Sequence, residues 1–331
     1  MADVTDSVFR KMIAKYSKPD VMWTEFVSAD GLVSVGKKNL LHDLEFSDKE
    51  RPIVAQLFTG RPEVMKKASA LIRKLGFDGL DINMGCPDRK VEKQGGGAAM
   101  MKNPANAIAV LEAAREGFCQ DRILAQMPKS DFGKTLPVTV KTRIGYNSVD
   151  WEWIRLMLRQ NLPALTIHLR TRKEMSDVPA HWELMPEIIR LKNEISPKTL
   201  IIGNGDVESL EGAKLKCEQY GCDGVMIGRG IFGKPWLFNK SEISNLKSQR
   251  SVIEKTPEER LKILLEHTKL FEKTFLLAKK KKIKNFAVMK KHFKAYVSGW
   301  DGAKELRVKL METNDFKQVQ AAIKGYLALI K

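Results

Sequence analysis

Short apolar runs recur along the first two-thirds of the chain, each separated from the next by a helix-length stretch. They read VMWTEFV (21–27), PIVAQLF (52–58), GLDINMG (79–85), PVTVKTR (137–143), ALTIHLR (164–170), TLIIGNG (199–205) and GVMIGRG (224–230). Each is apolar almost throughout rather than alternating, the pattern of a strand buried on both faces. The stretches between them carry helical spacing. In 62–76, Val64, Ala68, Leu71, Ile72 and Leu75 share one face and Gly76 supplies a stop. Strands alternating with helices make βα units and a parallel sheet. The expected fold class is α/β, a TIM (β/α)8-type barrel, with an open doubly wound sheet as its competitor. Thr5 or Asp6 caps a first helix through SVFRKMIAKY. The first barrel strand is therefore expected to precede Met1, with a natural start about 10–20 residues upstream.

After Phe238 the strand signals stop. Residues 257–277, 283–298, 302–312 and 315–330 read as helices, with Pro257 in a first turn and Gly299 and Gly302 bracketing a turn. Two domains are expected: 1–240, the barrel, and 241–331, a helical domain. The charge sharpens this division. The chain holds 57 Lys and Arg against 40 Asp and Glu, and residues 241–331 hold 21 against 10. A basic helical third suits a polyanionic partner. No apolar stretch approaches the length of a membrane span, and the N-terminus lacks the pattern of a signal peptide. The four cysteines, Cys86, Cys119, Cys217 and Cys222, include no C-x-x-C pair. They read as neither a disulfide framework nor a zinc site, and a reducing cytoplasm is expected.

In a βα barrel the chemistry sits at the C-terminal ends of the strands. Those positions hold Gln56, Asn83 with Cys86, Lys141 with Arg143, His168 with Arg170, Asn204-Gly205-Asp206 and Gly228-Arg229-Gly230. The last two groups, on the last two strands, suit a phosphate: glycine turns expose backbone N–H groups, and Arg229 adds charge. Lys141 can stabilise negative charge on a flavin ring or form a Schiff base. Gln56 can bond a flavin edge through both its donor and its acceptor. Cys86 heads a loop with Gly95, Gly96 and Gly97, where a thiol can deliver a proton or act as a nucleophile.

The run NMGCP…V…GGGAAMMKNP resembles the signature loop of the tRNA-dihydrouridine synthases. MADVTDSVFR, VAQLF, VKTRIG, IHLRTR, IGNGDV and MIGRGIFGKPW also match that family, in its order, along the whole chain. The resemblance implies an FMN-binding barrel reduced by NADPH or NADH, a helical domain that grips tRNA, and hydride transfer to C6 of a uridine with Cys86 protonating C5. It implies flavin-ring contacts for Gln56, Lys141 and His168, and ribityl or phosphate contacts for Asn204, Gly205, Asp206, Gly228 and Arg229. Asn83 and Arg143 match residues near the uracil, and Arg170 stands with them as a substrate candidate. The family's first motif ends in Ala-Pro-Met, of which only Met1 remains to touch the flavin. Lys281, Lys282, Lys290 and Lys291, with Lys294 and Arg307, are the candidates for tRNA phosphates. No stable protein partner is implied, and a monomer is expected. Two other readings compete: a small-molecule FMN oxidoreductase of the dihydroorotate dehydrogenase type, and a tRNA-binding protein without chemistry.

Overall fold

The computed structural model describes residues 3–119, 136–239, 255–277 and 283–329. All seven apolar runs form strands: β1 (Met22–Ser28), β2 (Ile53–Phe58), β3 (Gly79–Met84), β4 (Val138–Arg143), β5 (Ala164–His168), β6 (Leu200–Asn204) and β7 (Gly224–Met226). They pair in parallel, each with its neighbour in the chain, in the order β1 to β7. A doubly wound sheet needs a point where this order reverses. Here it never does, and the winding is that of a (β/α) barrel. The central strands β2 and β3 are buried at every position, as the unbroken apolar runs require.

Helices follow the strands with recognisable ends. Helix α1 (Ser7–Tyr16) is capped by Asp6, whose Oδ1 accepts from the N–H groups of Val8 and Phe9. Helix α2 (Pro62–Lys74) begins at a proline and stops just before Gly76, whose φ of +80° suits glycine. Next come α3 (Arg89–Lys93), α4 (Pro104–Phe118), α5 (Trp151–Leu158), α6 (Met185–Ile195) and α7 (Leu210–Tyr220).

The C-terminal part is helical, as its sequence indicates: α8 (Pro257–Phe271), α9 (Val288–Tyr296), α10 (Ala303–Glu312) and α11 (Phe316–Leu329). Thr256 and Glu259 close a capping box on α8. Two ends differ from expectation. The coil of α8 widens into a π-helical turn over Glu272–Leu276, and α9 starts five residues late because the Asn285 side chain accepts from the Ala287 N–H in a turn.

The chain divides into two compact units. One comprises Asp20–Leu44 and Arg51–Arg229, the sheet with its helices. The other comprises Met1–Pro19, Glu45–Glu50 and Gly230–Lys331, so α1 belongs with the C-terminal helices. Phe9 of α1 packs against His267 and His292, and the buried Arg10 pairs with the buried Glu50 at 2.8 Å. The expected domain boundary at residue 240 falls at the edge of the undescribed stretch 240–254. Among the described residues no helix is long and apolar enough to cross a membrane.

Candidate active site

Strand register brings the strand-end residues side by side. Gln56 lies beside Asp81, Asn83 beside Lys141, Arg143 beside His168, and His168 beside Asn204. One end of the sheet thus gathers polar groups from five consecutive strands.

Lys141 is half-buried, and its ammonium has no hydrogen-bond or ion-pair partner among the described residues. Burial and the neighbouring Arg143 guanidinium pull its pKa down to about 8, against the opposing influence of Asp81 and Cys86. A cation in that position is available to a ligand. His168 is held neutral: burial, with Lys141, Arg143, Arg170 and Arg229 around it, lowers its pKa to about 2. The Arg170 Nη1 lies 3.3 Å from His168 Nε2. A guanidinium only donates, so Nε2 accepts and Nδ1 carries the hydrogen that can be offered to a ligand.

The loops after β5 and β6 are tied together by Asp206. Burial works against its ionisation, but hydrogen bonds from Arg170 and the Ala180 N–H, with the charge of Arg229, hold its carboxyl below the usual range. Arg229 reaches Asp206 at 3.1 Å and stays largely exposed. Gly205 has φ +130°, and a Cβ there would meet the Ala180 Cβ at 2.7 Å. Its carbonyl accepts from the Trp182 indole N–H at 2.9 Å. Above Gly228 there is room: an added Cβ would find nothing closer than the Asn204 amide nitrogen at 4.0 Å.

Cys86 opens the loop after β3. Its N–H and that of Gly85 donate to the Asn83 Oδ1 at 2.9 and 3.1 Å, and its carbonyl accepts from the Ala98 N–H at 2.9 Å. Burial pushes the thiol up; a hydrogen bond with the Asp88 backbone and the charges of Lys141 and Arg143 oppose it, while the Asp88 carboxylate adds a smaller rise. The thiol therefore holds its proton at neutral pH, the state needed in a donor.

The structure spends two expected substrate residues on its own backbone. Arg143 is buried and donates to the carbonyls of Gly85, Thr171 and Met175, each at 2.9 Å. Arg170 donates to the Val178 carbonyl and pairs with Asp206. Gln56 gives its amide to Asp81 and its carbonyl to Asn83, so one amide hydrogen and one lone pair are left for a ligand. Met1, Lys281 and Lys282 lie outside the described residues. Lys290 and Lys291 stand on α9 in the helical unit, where Lys291 is exposed and lies 3.5 Å from Asp3. Arg307 donates to the Val297 carbonyl at 2.7 Å.

Sequence reasoning missed several participants. Asp81 is buried beside Gln56 and Lys141. Glu92 of α3 takes both faces of the Arg172 guanidinium fork, at 3.1 Å to Nε and 2.5 Å to Nη2. Arg172 and Lys102 also flank the Tyr146 ring, at 5.3 and 4.0 Å from its centroid. The charge signs of Glu92 and Arg172 were visible in the sequence, but their pairing across 80 positions was not.

A model of the family Dihydrouridine synthase (Dus) matches residues 1–329. The chain is 39% identical over 329 residues to a protein of Bacillus subtilis (strain 168) named "Probable tRNA-dihydrouridine synthase 2", covering 98% of this chain and 92% of that one. It is 38% identical over 331 residues to a "Probable tRNA-dihydrouridine synthase" of Staphylococcus aureus (strain COL), covering 99% and 92%. A protein of that name in Staphylococcus epidermidis is 37% identical over the same length, with the same coverage.

Proposed function

The chain belongs to the dihydrouridine synthase family, and from that premise we propose that it reduces uridine in tRNA to 5,6-dihydrouridine, with Cys86 as the proton donor. The observation that carries the proposal is the set of groups at the strand ends: a protonated thiol, a cation with no partner among the described residues and a neutral imidazole, on neighbouring strands.

These residues fit FMN, the cofactor that the family resemblance implies. Lys141 offers an unpaired ammonium and His168 an N–H. Asn204 has its carbonyl oxygen left after its amide donates to Met226. The open face of Gly228 and the exposed guanidinium of Arg229 suit a phosphate. When bound and reduced by NAD(P)H, FMN supplies the hydride for C6 of the uracil. Lys141 stabilises negative charge in the site through its proximity and desolvation. Cys86 gives its proton to C5, and its turn is held by Asn83 and Arg143. The stacked target base must leave the RNA helix to reach this end of the sheet. Lys290, Lys291 and Lys294 of α9 supply cations for the tRNA backbone, which is read by charge and shape. The protein works as a monomer in the cytoplasm.

The test is dihydrouridine formation in unmodified tRNA with NADPH, followed by nucleoside mass spectrometry. Wild-type protein should form dihydrouridine. Cys86→Ala should keep FMN and tRNA binding and lose most of the product. Undiminished turnover in Cys86→Ala removes the thiol from the mechanism, and no product from flavin-loaded wild type refutes the function.

A further inference from the structure

Asp81 lies in the middle of β3 and is 1% exposed. Its Oδ1 accepts from the Thr139 hydroxyl at 2.6 Å, and its Oδ2 accepts from the Gln56 amide at 2.6 Å. Burial pushes its carboxyl up to about 6, while the two hydrogen bonds and Lys141 pull the other way. At neutral pH it is a carboxylate, which can only accept.

That restriction propagates. Gln56 must turn its amide nitrogen toward Asp81, so its Oε1 faces β3 and accepts from the Asn83 amide at 3.1 Å. Asn83 must then donate to Gln56, which turns its Oδ1 toward the N–H groups of Gly85 and Cys86. The two ends of a carboxamide have nearly the same shape, so packing alone does not choose between them. Resting on the reading of Cys86 as proton donor, we infer that Asp81 is a positioning residue: its carboxylate sets the direction of the chain Asp81–Gln56–Asn83, which ends on the Cys86 amide and fixes where the thiol stands. This gives a buried charge a task that the packing of β3 does not require.

Two substitutions separate direction from charge. Asp81→Leu removes the acceptor. Asp81→Asn keeps an acceptor oxygen for Gln56, while its amide can donate to the Thr139 hydroxyl. Asp81→Leu should lower kcat about a hundredfold, the order expected when a reacting group is misplaced by about 1 Å, with KM for tRNA unchanged. Asp81→Asn should retain most of kcat. In tRNA-free protein, the rate of Cys86 alkylation by iodoacetamide, followed by peptide mass, should rise several-fold in Asp81→Leu and stay near wild type in Asp81→Asn. Wild-type kcat and alkylation in Asp81→Leu would overturn the inference. So would an Asp81→Asn variant as impaired as Asp81→Leu, since charge beside Lys141 would then be the cause. If Asp81→Leu does not fold, Asn83→Leu cuts the last link, and an unchanged alkylation rate there overturns the inference. The alkylation comparison holds whether or not the wild type makes dihydrouridine, so the two readings fail separately.

Discussion

Two fully buried histidines make the helical unit acid-labile. His267 and His292 meet edge to face at 4.6 Å and pack against Phe9 at 5.2 and 4.8 Å. Among the described residues, none of their ring nitrogens has a hydrogen-bond partner. Burial, with Lys291 and Lys284 nearby, lowers His292 to about 3, and burial beside His292 holds His267 far below its ordinary value. The native state therefore keeps both neutral, while the unfolded chain protonates both below about pH 6.5. The unfolded state binds more protons as pH falls, so stability is lost from about pH 6.5 downward. Between pH 7.5 and 5.5 this costs about 1.4 kcal/mol per histidine, or about 3 kcal/mol for the pair. That is a large share of the roughly 5–15 kcal/mol that holds a typical domain together. Urea unfolding of wild type and of His267→Leu/His292→Leu at the two pH values measures it. The stability difference between the proteins should shift by about 3 kcal/mol in favour of the double variant at pH 5.5. Groups outside the pair, such as His181, which Glu174 shifts in the opposite sense, cancel in that difference. Parallel pH dependences in the two proteins would refute the reasoning.

Other substitutions probe the strand-end loops and the basic helix. Gly97 has φ +58°, and a Cβ there would lie 2.6 Å from the Cys86 carbonyl oxygen. Gly97→Ala should destabilise the protein by about 1–3 kcal/mol and abolish dihydrouridine formation while tRNA binding persists; unaltered turnover would separate this loop from the chemistry. Trp182→Phe deletes the bond to the Gly205 carbonyl and trims the far indole edge that faces Gly203. It should cost about 1 kcal/mol in stability and weaken FMN retention, and an unchanged FMN dissociation constant would count against a phosphate site at that turn. Lys291→Glu with Lys294→Glu should weaken tRNA binding and reduce the slope of log affinity on log salt by about 1–2, without slowing NADPH oxidation.

The sheet was legible because seven short apolar runs recur between helix-length segments, and the two least interrupted by solvent, β2 and β3, are buried at every position. The mouth was legible for a different reason: once a βα barrel is expected, the strand ends are the only places to look, and His168 and Lys141 stood there. What stayed hidden depends on register. Asp81 sits two residues before Asn83 inside an apolar run, and only pairing with β2 and β4 brings Gln56 and Thr139 to its carboxylate. The clasp between Glu92 and Arg172 joins α3 to the loop after β5, which sequence distance keeps apart. Arg143 and Arg170 were readable as cations, but their hydrogen bonds to loop carbonyls follow from loop paths that no periodicity encodes.

The placement of α1 has a consequence for synthesis. Each strand of the sheet pairs with the one made just before it, so the sheet can assemble in the order in which it leaves the ribosome. Helix α1 cannot follow that schedule. It buries Val8, Phe9, Met12 and Ile13 in a unit whose main helices begin at Pro257. At a translation rate of about 5–20 residues per second, that greasy face waits on the order of tens of seconds for its partners. Helix α1, made before the sheet, is among the last to be housed, and a nascent chain stalled before α8 would carry that face uncovered.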